Sequence, residues 1–159
     1  MQSLNHGAKG LKLLFLVLRL SAILFQRFFN LLTFGNLPPF AAVAVVVKQN
    51  EKILMIDRID GKGLGLPGGF VRLQETMESA AVRETREETG LDIELTGILG
   101  VLSGKRPGTL LRAVDVVYSG RVIGGQLKNS FEGKCRWVNL QQEKPRVAFD
   151  YIKILEQIS

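Results

Sequence analysis

The sequence predicts an α/β fold: a mixed sheet with helices on its faces, preceded by a separate N-terminal amphipathic helix. Three observations carry that expectation. Residues 11–34 are apolar at helical spacing, broken by a narrow basic stripe. From Phe40 the pattern changes to β-branched runs of strand length. Those runs then come in the order strands, helix, strands, helix, which suits one sheet covered on both sides. The 159 residues divide accordingly into an arm with its linker, 1–39, and one domain of ordinary size, 40–159.

The arm reads LKLLFLVLRLSAILFQRFFNLLTF over residues 11–34. On a helical wheel Lys12, Arg19, Gln26, Arg27 and Asn30 fall within an arc of roughly 100°. The rest of the wheel is mainly Leu, Phe, Ile and Val. Residues 1–39 carry Lys9, Lys12, Arg19 and Arg27 and no acid, while the remaining 120 hold 17 bases and 15 acids. Most of the net charge of +6 therefore belongs to the arm. Asn36, Pro38 and Pro39 end it. Three readings stand side by side. The helix lies on a membrane surface with its cations toward lipid headgroups. Alternatively it spans the membrane, for which its length suffices; Arg19 would then sit near the middle, at about 2.5–3.5 kcal/mol. Or it packs on the domain or on a second subunit. A secretory signal is disfavoured, because Arg19 splits the apolar run and no small-residue cleavage site follows.

The domain opens with FAAVAVVVKQ, Phe40–Gln49, apolar on both faces and suited to a central buried strand. Asn50-Glu51 turns the chain, and KILMIDR, Lys52–Arg58, returns as a second strand. DGKGLGLPGG, Asp60–Gly69, is a glycine-dense loop whose backbone can approach a ligand closely. Phe70–Leu73 is a short strand. Thr76–Thr89 is a helix, with Thr76 as N-cap and Gly90 as C-cap. Strands follow at Ile93–Leu102 and Leu110–Ser119, joined by the polar turn SGKRPGT. Val122–Lys128 leads through another hairpin to the strand KCRWVNL, Lys134–Leu140. Pro145 starts a final helix, with Val147, Tyr151, Ile154, Leu155 and Ile158 at helical spacing.

Composition removes several classes of chemistry. The single cysteine, Cys135, cannot form an internal disulfide and reads as a small buried hydrophobe near Trp137. The single histidine, His6, lies far from other chemistry, which argues against a His-based triad or zinc site. The domain lacks clustered bases interleaved with aromatics, so no nucleic-acid polymer is expected as a partner.

What remains is a crowd of acids. Glu84, Glu87 and Glu88 stand at i, i+3 and i+4 and project from one helix face. Such pairs repel by about 0.2–0.5 kcal/mol each. A solvated face is the ordinary explanation. Carboxylates on a rigid helix beside a glycine loop also make a cradle for Mg²⁺ and a diphosphate, because hard cations take oxygen ligands. Arg83 can brace the acids through Glu87 or Glu75. Glu78 points off this face.

The wider spacing decides between those explanations. Gly69 is followed after five residues by Glu75, after seven by Arg83-Glu84, after two by Glu87-Glu88, and after one by Gly90, with an apolar residue, Leu91, next. Seven fixed identities coincide by chance at on the order of 1 in 10⁸ starts. This pattern resembles the Nudix box, the signature of the Nudix hydrolases. One position departs from it: Thr85 stands where the pattern has an aliphatic residue.

The resemblance implies an α/β/α sandwich that hydrolyses a nucleoside diphosphate linked to another group, with Mg²⁺ or Mn²⁺. Carried over, Glu84, Glu87 and Glu88 with the Gly68 carbonyl match the metal ligands, and Glu75 and Arg83 match the supporting pair. Glu84 is a candidate base, and Glu132 a second candidate for base or extra ligand. Arg58, Phe70 and Glu132 are candidate substrate contacts. Pro107, 16 residues past Leu91, resembles a marker of the family's ADP-ribose pyrophosphatases. The substrate expected is a nucleotide sugar such as ADP-ribose, or a nucleoside triphosphate. The family's members are often homodimers. The location expected is the cytoplasm, on the inner face of the membrane if the arm binds lipid. The alternative function is a Nudix-fold sensor without catalysis, or a membrane-associated interaction protein.

Overall fold

The computed structural model describes residues 3–35, 38–105 and 112–158. The chain falls into two compact units, Met1–Pro39 and Phe40–Ser159. The first is one helix, α1, Ser3–Leu32. It starts before residue 11 although its first turns are polar and contain glycine. It ends where the Gly35 N–H reaches back to the Asn30 carbonyl at 2.8 Å, with Phe34 and Gly35 both at positive φ. Leu24, Phe25, Phe28, Leu31 and Leu32 are exposed. Among the described residues no helix is long and apolar enough to cross a membrane.

The second unit runs β1 Phe40–Gln49, β2 Lys52–Arg58, β3 Leu64–Gly65, β4 Gly68–Phe70, α2 Met77–Thr89, β5 Leu91–Lys105, β6 Arg112–Gly125 and β7 Gly133–Asn139. It closes with α3 Leu140–Glu143, a 3-10 turn at Lys144–Arg146 and α4 Ile152–Leu155. The strand order is β3-β2-β1-β6-β5, with β4 beside β1 and β7 beside β2. The sheet is mixed: β1 runs parallel to β6 and antiparallel to β4. Asn50 and Glu51 both take positive φ, 48° and 60°, the primed turn that suits a two-residue hairpin.

Alternation along β1 builds the core. Val43, Val45 and Val47 face Ala80 and Ala81 of α2. Ala44 and Val46 face the other way, toward Leu64, Tyr151, Ile154 and Leu155. Helical segments thus cover both faces, the layered sandwich expected from a strand apolar on both sides.

Helix α2 is capped at both ends. Thr76 and Ser79 exchange side-chain and backbone hydrogen bonds, a capping box, and Gly90 closes the helix at φ 76°. Thr85 is fully buried, and its hydroxyl donates to the Ala81 carbonyl at 2.8 Å, so the polar group is satisfied within its own helix.

Three expectations need correcting. The short strand is Gly68–Phe70, not Phe70–Leu73, because β1 pairs with the glycines themselves. Val122 to Gly125 does not begin a new hairpin; it continues β6, pairing as far as Leu91↔Gly125. No long helix starts at Pro145. The chain makes a 3-10 turn, passes through Phe149 at φ 58°, and only then forms α4. The apolar spacing there serves core contacts of an irregular segment, with the Ala148 N–H bonded to the Leu64 carbonyl at 2.7 Å.

Candidate active site

Strand β4 and helix α2 bring the box together. Gly68 packs against β1 so closely that a Cβ would lie 2.1 Å from the Val43 carbonyl oxygen. At Gly69 a Cβ would meet the Glu84 carboxyl carbon at 2.7 Å. Only glycine lets the turn and this acid share the space.

Arg83 is the hub. Its Nε and a terminal nitrogen donate to the two oxygens of Glu75 at 2.5 and 2.8 Å. Its other terminal nitrogen donates to Glu84 at 2.7 Å and to Glu87 at 3.1 Å. The terminal nitrogen that serves Glu75 also donates to the Phe70 carbonyl at 3.3 Å. Five donors in a fixed fork make this geometry available to arginine and not to lysine. Arg72 adds a bond to Glu87 at 3.3 Å and donates its backbone N–H to Glu75. The Arg83 fork holds the Glu75 carboxyl down at about 2.

The acids differ in environment. The Glu87 side chain is half exposed, whereas Glu84 is largely covered. Burial pushes the Glu84 carboxyl up against the opposing pull of Arg83, and the charges of Glu87 and Glu132 push the same way. Glu88 is buried, 4 % exposed, and accepts the Gly68 N–H at 2.8 Å. Its carboxyl is raised by burial first, then by the Glu132 carboxyl beside it. Two carboxyls in one poorly hydrated place cannot both hold charge cheaply.

The remaining expected residues are placed as follows. Glu132 lies on the loop before β7 and reaches the acids of α2. Arg58 lies at the end of β2, gripped by Asp60 at 3.1 and 2.9 Å, with its guanidinium 5.3 Å from the centre of the Phe149 ring. Phe70 is half exposed and its ring packs against Phe40 at 5.5 Å. Trp137 is partly buried against the α2-side core. Arg106 and Pro107, and the Lys105 side chain, lie outside the described residues.

Sequence reasoning missed two features. The Cys135 thiol donates to the Glu88 carbonyl at 3.2 Å, and burial with the Glu88 charge holds it up at about 11. Asp115 is 1 % exposed in the middle of β6. An acid inside the apolar run Ala113–Tyr118 is a readable signal for the second; nothing in the sequence marks the first.

The donor set is all oxygen, and Glu84, Glu88 and Glu132 lie close enough to be costly to ionise together, so the chemistry of the residues fits a hard divalent cation. As the side chains stand, no three of His, Cys, Asp and Glu among the described residues are placed to grip an ion. Arg83 draws Glu84 and Glu87 toward itself, and binding would require those carboxylates to turn.

Comparison with known proteins agrees with this geometry. The chain is 37% identical over 123 residues to the ADP-ribose pyrophosphatase of Methanocaldococcus jannaschii, covering 76% of this chain and 73% of that protein. It is 32% identical over 126 residues to a MutT-like protein of Streptomyces ambofaciens, covering 76% and 79%. A Nudix hydrolase structure from Nitrosomonas europaea superposes with a TM-score of 0.69 over 76% of this chain and 88% of that one, at 20% identity, and so shares the fold. The NUDIX domain family model matches residues 38–158. The capped acidic helix, the glycine turn packed on β1 and the two-sided sheet are thus those of a protein that belongs to the Nudix family and is a hydrolase.

Proposed function

We propose that the protein is a Mg²⁺-dependent hydrolase of nucleoside diphosphate derivatives, with unit 40–159 as its catalytic domain. The observation that carries this reading is the Arg83 hub, which gathers Glu75, Glu84 and Glu87 beside the Gly68–Gly69 turn. The resemblance to an ADP-ribose pyrophosphatase favours a nucleotide sugar as the substrate.

Glu84, Glu87, Glu88 and the Gly68 carbonyl would hold the cation. When bound, it neutralises diphosphate charge and lowers the pKa of a coordinated water. The protein's own residues supply the rest. Glu75 fixes Arg83, and Arg83 holds Glu84 and Glu87 together on one face of α2, from which they would turn toward the cation. The Gly68 N–H fixes Glu88. Glu84, raised by burial, is placed to take a proton from the attacking water. Glu132, near Glu84 and Glu88, is the second candidate acceptor.

The test is Mg²⁺-dependent release from a panel of nucleotide sugars and nucleoside triphosphates. Glu87→Gln is expected to lose at least about 100-fold in kcat/KM. A wild type inert across the panel, with ligand binding undiminished in the variant, would favour a sensor instead.

For the arm we propose attachment to an anionic lipid surface. Its exposed Leu and Phe side chains and its acid-free basic stripe support that reading. The full chain should float with anionic liposomes at low salt, and a 40–159 truncation should not. Equal behaviour of the two sinks the lipid reading.

A further inference from the structure

The loop between the glycine turn and α2 brings a second arginine to the acids. Arg72 lies two residues beyond the end of β4, and its backbone is locked in place. Just before it, the Val71 N–H donates to the Ala41 carbonyl at 3.1 Å, and the Val71 side chain packs on the α2-side core. The Arg72 N–H donates to the Glu75 carboxylate at 3.1 Å, and its carbonyl accepts the Glu75 N–H at 3.0 Å. Glu75 is in turn held by Arg83, so the root of Arg72 is fixed with respect to the hub. Its side chain is 63 % exposed and reaches Glu87 with one terminal nitrogen at 3.3 Å. A fixed backbone carrying an exposed, singly tethered guanidinium can change partners without moving the loop.

Glu87 is shared between two arginines. One carboxylate oxygen accepts from Arg83 at 3.1 Å and the other from Arg72 at 3.3 Å. The two are not equivalent. Arg83 is 16 % exposed and also serves Glu75, Glu84 and the Phe70 carbonyl. It already holds Glu87 from within the hub, and Arg72 adds only a surface ion pair. Such a pair is worth about two- to fivefold in an equilibrium constant, too little to hold a carboxylate against a divalent cation. When Glu87 turns from its arginines, Arg72 is therefore the contact that gives way. Its fork of N–H donors is then left at the edge of the site, and such a fork matches two oxygens of a phosphate.

We propose that Arg72 is an exchangeable counter-ion of the site: it neutralises Glu87 in the metal-free protein and passes to the diphosphate oxygens of the substrate once Glu87 turns to a divalent cation. The inference rests on the proposed hydrolysis of nucleoside diphosphate derivatives and names the residue that couples the loading of cation and substrate. Two consequences of opposite sign follow. Without Arg72, Glu87 has one competitor fewer, so cation binding tightens. Without Arg72, the diphosphate loses a two-point contact, so substrate binding weakens. A brace that merely supported Glu87 would weaken both on removal, and an ordinary solvated pair would change neither.

The test reads the two halves separately on the full chain. In a Mn²⁺ titration without substrate, with the free ion counted by its electron spin resonance, Arg72→Ala should bind the ion about two- to fivefold more tightly than wild type. In steady-state hydrolysis at saturating Mg²⁺, the same variant should raise KM for a nucleotide sugar about tenfold or more, with kcat within about threefold of wild type. Arg72→Lys keeps the charge and loses the fork, so its KM should rise as well. Arg86→Ala removes a base of the same helix that is paired with Asp92, and controls for the loss of charge alone. Ion affinity unchanged or weakened in Arg72→Ala, an unchanged KM, or shifts of the same size in Arg86→Ala overturns the inference. A wild type inert toward every nucleotide would defeat the hydrolysis reading. The ion titration and calorimetric binding of ADP-ribose with Mg²⁺ would then judge Arg72, and equal affinities in wild type and Arg72→Ala, or no binding, would overturn its role.

Discussion

Arg83 shows how one side chain can organise several of its own charge type's opposites. It satisfies three carboxylates at once: Nε and one terminal nitrogen grip Glu75, and the other terminal nitrogen serves both Glu84 and Glu87. Replacing it with lysine keeps the charge and loses the fork. Arg83→Lys is therefore expected to lower kcat/KM about 10–100-fold with the Mg²⁺ requirement shifted to higher concentration. A metal titration of initial rates checks this; an unchanged Mg²⁺ midpoint would confine Arg83 to structure. Thr85 makes the opposite case. Among the described residues its hydroxyl bonds only within α2, so Thr85→Val should alter stability by no more than about 1 kcal/mol. A thermal melt that drops further would mean the hydroxyl supports something beyond the helix. The acids were legible because their spacing is local to one helix. The partnership of Glu88 with Glu132 was not, because 44 residues of chain separate them and only the β7 loop closes the gap.

At the scale of elements, α2 is held by its ends as much as by its buried face. Thr76→Ala removes one half of the capping box and should cost about 1 kcal/mol, read by urea unfolding. The C-terminal segment is held differently. Arg146 bonds Asp57 at 3.0 Å and Glu143 at 3.1 Å, and Arg136 bonds Glu143 at 2.8 Å. Arg136 first, then Arg146, holds the Glu143 carboxyl below its ordinary value. A lowered folded-state pKa contributes stability above the unfolded value of 4.5, and that stability is lost as pH falls through the folded one. The stability gap between wild type and Glu143→Gln should thus be present at neutral pH and close as the pH falls from 4.5 through the lowered folded-state value. A gap independent of pH or salt would mean that the ion pairs contribute nothing. The final helix was misread at this scale. Its apolar spacing is genuine, but the strained Phe149 and the bond from Ala148 to Leu64 divert the chain, and neither is local in sequence.

For the whole molecule, the second unit owns a core on each face of its sheet, built from residues beyond Phe40. A 40–159 protein should accordingly melt in one cooperative step and hydrolyse a soluble nucleotide within about twofold of the full chain. Loss of cooperative melting on truncation would show that the arm contributes to that core. The arm holds bases and no acids, and Leu24, Phe25 and Phe28 are exposed on it, which supports the proposed attachment to an anionic surface.

The sequence by itself determined the strands at Phe40–Gln49 and Lys52–Arg58, the span and caps of α2, and the acids on one of its faces. Each depends on interactions within a few residues, which periodicity and capping chemistry record directly. Tertiary structure alone decided the parallel pairing of β1 with β6 and the placing of Glu132 beside Glu88. Those depend on which distant segments pack together, and side-chain order along a chain carries no record of which partner fills the other side of a contact.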